Sequence, residues 1–150
     1  GRAAFALVQA CLPALKQSDH PHILMIAPPL SLDPKWLINH GAYTLSKYAM
    51  SLCVLGMAQE FKAHSIAVNG LWPKTAIATE TVSRIGGQKL MNASRQPTIM
   101  ADAAFCILQE KSDVSGQFFI DEDVVVKAGF DLNKYVKEPG TPLTKNLFID

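Results

Sequence analysis

Apolar residues in this chain fall into runs of two kinds. "AAFALVQACLPAL" (3–15) and "YAMSLCVLGMA" (48–58) are apolar nearly all the way round a helix, and they predict helices over residues 3–16 and 42–63. A helix on the surface of a monomer shows a broad polar face, which these two lack. Each is therefore expected to be covered on both sides, by a sheet and more chain or by a sheet and another subunit. "HILMIA" (22–27), "SIAVNGLW" (65–72) and "GQFFID" (116–121) are short, continuous apolar runs. They predict strands buried on both faces, as in a parallel sheet between helix layers. Pro28-Pro29 and Pro73 stop the first two strands. "TIMADAAFCILQE" predicts a further helix, with a threonine and an acid at its start. Residues 77–97 read as a variable helical segment, and "KEPGTPLTKN" reads as loop. Helices and strands alternate, which predicts an α/β fold with a mostly parallel sheet.

Composition narrows the picture. The chain has 150 residues, 49% of them hydrophobic, and a formal net charge of +1. That is globular, large enough for one domain, and not disordered. No Lys/Arg run is present, which argues against nucleic acid or an anionic membrane as the main partner. No apolar stretch reaches the ~18 residues of a membrane span. The N-terminal "GRAAFALVQACLPAL" can be read as a signal peptide, but Pro13 and Lys16 fit a helix end as well. Cys11, Cys53 and Cys106 are odd in number, far apart and set among apolar neighbours. They are expected to be reduced thiols of an intracellular protein. His20, His22, His40 and His64 form no helical pair and no cluster with cysteine, so no metal site is expected.

The chemistry concentrates in "NHGAYTLSKYAMS" (39–51). Tyr43 and Lys47 are four residues apart and so share a helix face. They read either as a structural pair at the head of a buried helix or as a proton-transfer couple. In the second reading the ammonium lowers the phenol's pKa from about 10, so that it can exchange a proton near neutral pH. "RIGGQK" (84–89) has paired glycines but follows no strand, and is a poor dinucleotide fingerprint. Trp36 and Trp72 suit either an apolar cleft or packing. His40 reads as a solvated loop residue or a substrate contact, Asn69 as a strand-end hydrogen bonder and Asp121 as a turn former.

Strand, loop, "AYTLSKYAMS" helix and "SIAVNGLWPKTAIAT" together resemble the short-chain dehydrogenase/reductase family, and the resemblance runs from Gly1 to Asp150. It implies the C-terminal portion of a Rossmann-type, doubly wound domain. It also implies reversible carbonyl/alcohol chemistry with NADP or NAD, the choice between them not being readable here. By the resemblance, Tyr43 is the general acid/base, and Lys47 binds the nicotinamide ribose and depresses the tyrosine pKa. Pro73, Ile77 and Thr79 match the loop that receives the nicotinamide carboxamide and a nearby phosphate. The implied partners are a small, apolar carbonyl or alcohol substrate and further copies of the chain, packed through the 3–16 and 42–63 helices. The compartment would be cytoplasmic in a bacterium and peroxisomal or mitochondrial in a eukaryote.

This sequence departs from the family pattern in three places. The catalytic serine that ends the strand before the tyrosine is replaced by Ala27-Pro28-Pro29; Ser31 stands in for it, or nothing does. The usual Pro-Gly is Pro73-Lys74, whose lysine is expected to close the cofactor site or to contact a phosphate. The family's glycine motif and catalytic asparagine would precede Gly1, so these 150 residues alone are expected to be inactive. A non-catalytic relative, keeping its apolar helices as an oligomer or lipid-binding surface, is the rival reading.

Overall fold

A computed structural model describes all 150 residues. The chain divides into two compact units, one of Gly1–Trp72 with Leu108–Phe119 and one of Pro73–Ile107 with Ile120–Asp150.

The first unit is built on a three-stranded sheet in the order β1-β2-β3, formed by β1 (His22–Ile26), β2 (Ala67–Trp72) and β3 (Phe118–Ile120). β1 and β2 run parallel, with His22 opposite Ala67 and Ile26 opposite Leu71. On the other side of β2, Gly116 N donates to Val68 O and Gly70 N donates to Gln117 O, which continues the parallel arrangement. β2 is buried at every residue, as its unbroken apolar run predicts for a central strand. β1, at the sheet edge, is only partly covered, and Ile26 is exposed. Gly70 lies where Phe118 crosses the sheet. A Cβ there would come within 2.6 Å of the phenylalanine ring, so only glycine fits.

α1 (Arg2–Leu15) and α2 (Gly41–Glu60) pack on this sheet. Val8, Met25, Val54, Met57, Phe61, Ile66 and Val68 form the core, with Leu12 and Leu15 packed against it. Both helices agree with the sequence prediction within a few residues. Their apolar surplus is visible as exposed Phe5, Leu7, Leu45, Leu52 and Leu55.

The second unit contains α3 (Glu80–Asn92), α4 (Thr98–Leu108) and α5 (Asp121–Lys127). The 77–97 segment is thus mainly a helix, started by Thr79, whose side chain accepts from Val82 N. Its paired glycines supply a kink: Gly87 has φ +59°, a conformation that costs glycine little. Asp121, expected to form a turn, opens α5 instead. The C-terminal tail is not free loop, because Thr75 bridges Lys145 and Arg95 bridges Val136 in short antiparallel contacts. No helix is long and apolar enough to cross a membrane.

Candidate active site

The site is assembled where β1 ends and α2 begins. Ala27 N still donates to Leu71 O, but the two prolines that follow have no N–H to extend the ladder. The chain leaves the sheet and makes a short 3₁₀ turn at Pro34–Trp36, capped by Asp33, whose carboxylate accepts from Lys35 N. Asn39 adopts φ +62°, a left-handed geometry that asparagine tolerates better than most residues. α2 then starts at Gly41.

Two hydroxyls of α2 fix this loop. Thr44 Oγ1 donates to Trp36 O, and Ser51 Oγ donates to Pro28 O at 2.7 Å. Both are fully buried. Spacing along the chain also marks Ser51, which the Tyr-Lys reading leaves out. It follows Lys47 by four residues and Tyr43 by eight, so all three lie on one helix face.

Tyr43 is 45% exposed, and Lys47, one turn on, is partly buried. Lys47 Nζ donates to Ile26 O at 3.1 Å and stands 5.2 Å from the centroid of the Trp72 ring and 6.0 Å from that of Tyr43. Trp72 is only 3% exposed. It is therefore a packed residue whose π face lies under the ammonium, not the wall of an open cleft. Burial lowers the Lys47 pKa below its usual value and raises that of Tyr43. The tyrosine shift runs opposite to the one the Tyr-Lys spacing suggests. At 6.0 Å from the ring the ammonium does not outweigh the desolvation of the phenol.

Ser31 lies in the loop, and its Oγ accepts from Asp33 N at 3.2 Å. Pro73, Ile77 and Thr79 belong to the second unit. There Pro73 O accepts from Asn146 Nδ2, and Thr79 N donates to Ile77 O. The amides of Thr75 and Ile77 make no hydrogen bond within the chain, whereas those of Lys74, Ala76 and Ala78 all do. Lys74 Nζ is paired with Glu122 (3.7 Å) and Asp123 (3.8 Å). Its expected role against a phosphate is therefore met by competing carboxylates.

This sheet, with the helix that carries Tyr43 and Lys47, is the Rossmann-type α/β fold of the short-chain dehydrogenases. A short-chain dehydrogenase of Mycobacterium thermoresistibile superposes with TM-score 0.90 at 42% identity, covering 99% of this chain and 54% of that one. A candidate dehydrogenase of Xanthomonas campestris gives TM-score 0.93 at 45% identity, covering 99% and 55%. The chain is also similar to hydroxysteroid dehydrogenase-like protein 2. It is 49% identical to the Danio rerio protein over 150 residues, which is 99% of this chain and 36% of that relative. It thus spans about a third of the length of the curated relatives it matches. No family model matches. More distant neighbours share the fold; among them are an angucycline C-6 ketoreductase with bound NADP (TM-score 0.64) and a Brucella melitensis 3-oxoacyl-[acyl-carrier protein] reductase with bound NAD (TM-score 0.59).

Proposed function

We propose that this chain carries the acid/base part of a nicotinamide-dependent oxidoreductase that interconverts a carbonyl and an alcohol. The observation that carries this reading is the placement of Lys47. Its ammonium is held at the C-terminal end of β1 by Ile26 O, one helical turn from a half-exposed phenol. The residues fit a nicotinamide riboside. Lys47 has three N–H donors and uses one on Ile26, which leaves donors for ribose hydroxyls. Within the second unit, taken by itself, the unpaired amide of Ile77 is a donor of the kind a carboxamide oxygen requires.

The cofactor, NADP or NAD, supplies or accepts the hydride when bound. Tyr43 Oη gives its proton to the carbonyl oxygen as the alkoxide develops, and takes it back from the alcohol in the reverse direction. Lys47 keeps the resulting phenolate close to a positive charge. The substrate is a small molecule with an apolar body. Whether these 150 residues are the C-terminal portion of a larger Rossmann domain is part of the same proposal. The half-covered edge of β1 and the partial coverage of the relatives both support it.

The test is Tyr43→Phe in the natural full-length protein, assayed with a carbonyl substrate it is shown to reduce. Turnover should fall at least ~10²-fold, the lower end for general acid/base catalysis. An unchanged rate removes Tyr43 from the mechanism.

A second reading has its own support. Ala27-Pro28-Pro29 offers no hydroxyl at the strand end, and Ser31 already accepts a loop amide. A relative that has lost the chemistry would look like this and would retain its apolar helices as an oligomer or hydrophobic-ligand surface. Ser31→Ala separates the cases. Under the enzyme reading with Ser31 as the carbonyl's hydrogen-bond donor, the variant loses at least ~10-fold in turnover, about one charge-assisted hydrogen bond. A wild-type rate means that the site works without it. Absence of turnover by the unmodified protein with every carbonyl tried favours the non-catalytic reading.

A further inference from the structure

The buried charges of the second unit are not used by the acid/base couple, and they converge on one stretch of backbone. Arg95 is 6% exposed, Glu122 is 8% exposed and Asp121 is fully buried. Burying such groups is costly unless each is paired and hydrogen-bonded. For Arg95 and Glu122 the pairing is close. Arg95 Nε donates to Glu122 Oε1 at 2.7 Å, and Arg95 Nη1 donates to Leu132 O at 2.9 Å.

The backbone of Arg95 has a separate task. Arg95 N donates to Ala76 O at 2.9 Å, and Ala78 N donates to Arg95 O at 2.8 Å, so Arg95 straddles Ile77 like one rung of a parallel ladder. Asp121 Oδ1 accepts from Lys74 N and from Glu122 N, both at 2.8 Å. The tail adds two further bonds, Ala76 N to Thr144 O at 2.8 Å and Asn146 N to Lys74 O at 3.0 Å. The amides of 74, 76 and 78 are tied down, while those of Thr75 and Ile77 are left without acceptors.

We infer that the Arg95–Glu122 ion pair and Asp121 form a clamp that fixes the backbone of residues 73–78, making Arg95, Asp121 and Glu122 positioning residues for the Ile77 amide as a ligand donor. That the ligand is the nicotinamide carboxamide rests on the function proposed above; the clamp itself does not. An ion pair suits this use because its partners are costly to separate once buried. It also explains the Pro73-Lys74 departure. A lysine at 74 is held by Glu122 and Asp123 through its side chain and by Asp121 through its amide, so the acidic start of α5 grips this residue at both ends.

The experiment uses the natural full-length protein and Glu122→Gln, which keeps the side chain's shape and removes its charge. Amide hydrogen exchange of the peptide covering 73–79 is read in the absence of nucleotide, with a peptide of α2 as the internal control. Exchange of 73–79 should quicken at least tenfold with α2 unchanged, and NADH or NADPH affinity should weaken about tenfold. Glu122→Asp, which retains the charge, should recover part of both effects. If Glu122→Gln fails to fold, Arg95→Lys gives the same readouts, with loss of the forked contact to Leu132 O. Unchanged exchange at 73–79 in a folded variant overturns the clamp. Faster exchange with unchanged nucleotide affinity overturns its positioning role. If the unmodified protein binds neither nucleotide, the proposed function falls, and the exchange measurement still decides the clamp.

Discussion

Lys47 Nζ donates to the carbonyl of Ile26 at 3.1 Å, which ties the first turns of α2 to the C-terminal end of β1. The bond spans 21 residues of sequence and fixes the ammonium independently of any ligand. The Trp72 ring lies on another side of the same ammonium, so the lysine is pre-set. Pre-setting lowers what must be ordered when a substrate arrives.

A consequence can be read in a pH profile. Burial alone raises the Tyr43 pKa, and a nearby ammonium is the group able to pull it back as the phenolate forms. Lys47→Met removes that charge. In the direction of alcohol oxidation, where the proposed mechanism makes Tyr43 the base, the apparent pKa of the rising limb should move to higher pH than in the unmodified protein, and the plateau rate should fall. A Lys47→Met profile that superposes on the original would mean the lysine does not act on the tyrosine.

A second pH effect belongs to stability. Burial pushes the Asp121 carboxyl up to about 6 from 3.8, despite the amides of Lys74 and Glu122 that bond it and the nearby Arg95. Its Oδ2 is buried with no hydrogen-bond partner. The folded pKa exceeds the unfolded one, so the folded chain holds this proton more tightly. The contribution to stability is complete below about pH 3.8 and is lost as pH rises through about 6. A displacement of that size corresponds to about 3 kcal/mol. Asp121→Asn keeps the acceptor for Lys74 N and cannot titrate. Its stability relative to the unmodified protein should therefore rise between about pH 4 and pH 7, by up to about 3 kcal/mol in urea melts. Equal differences at the two pH values would show that Asp121 is already charged in the fold.

How much of this was legible in the sequence varies with the physical scale of the signal. The strands over 22–27 and 65–72 and the two long helices were legible because their apolar runs are long and prolines punctuate them. The helix within 77–97 was blurred by Gly86 and Gly87, the second of which breaks the helical geometry. Tyr43 and Lys47 were legible as a pair because four residues make one helical turn. The direction of the tyrosine shift was not, because it depends on burial set by residues distant in sequence. Nor was the Arg95–Glu122 pair, whose members are 27 residues apart with no pattern linking them.

The exposed leucines of α1 and α2 lead to a third expectation. Leu52 is 60% exposed and Leu7 65%, whereas Val54 is fully buried. We propose that these helix faces meet those of further copies of the chain. Leu52→Glu then places a charge in the interface without touching the core, and should turn the oligomer of the natural full-length protein into smaller species in light scattering with the thermal midpoint of the isolated subunit retained. Val54→Glu is the contrasting variant and should unfold the chain, since it puts an unpaired charge into the packed core. An unmodified protein that is monomeric at micromolar concentration contradicts the interface.

The last expectation concerns the 150 residues by themselves. In Rossmann-type folds the pyrophosphate sits on a glycine-rich turn between a strand and a helix N-terminus, where backbone amides approach it closely. None of the three strands of this chain leads into such a turn. β1 runs into Pro28 and Pro29, which have no amide protons to offer, and β2 runs into Pro73. β3 does lead directly into a helix, but α5 opens with Asp121, Glu122 and Asp123, and three carboxylates at that position repel a phosphate. In the function proposed above, Tyr43 and Lys47 serve only the nicotinamide end of a dinucleotide. The isolated 150-residue chain is therefore expected to bind NADH and NADPH more weakly than micromolar and to turn over no carbonyl substrate. Calorimetric titration with each nucleotide, on a sample whose folding is checked by circular dichroism, measures this directly. Micromolar affinity for either nucleotide in a folded monomer would place a phosphate site within these residues and overturn the division of the fold proposed here.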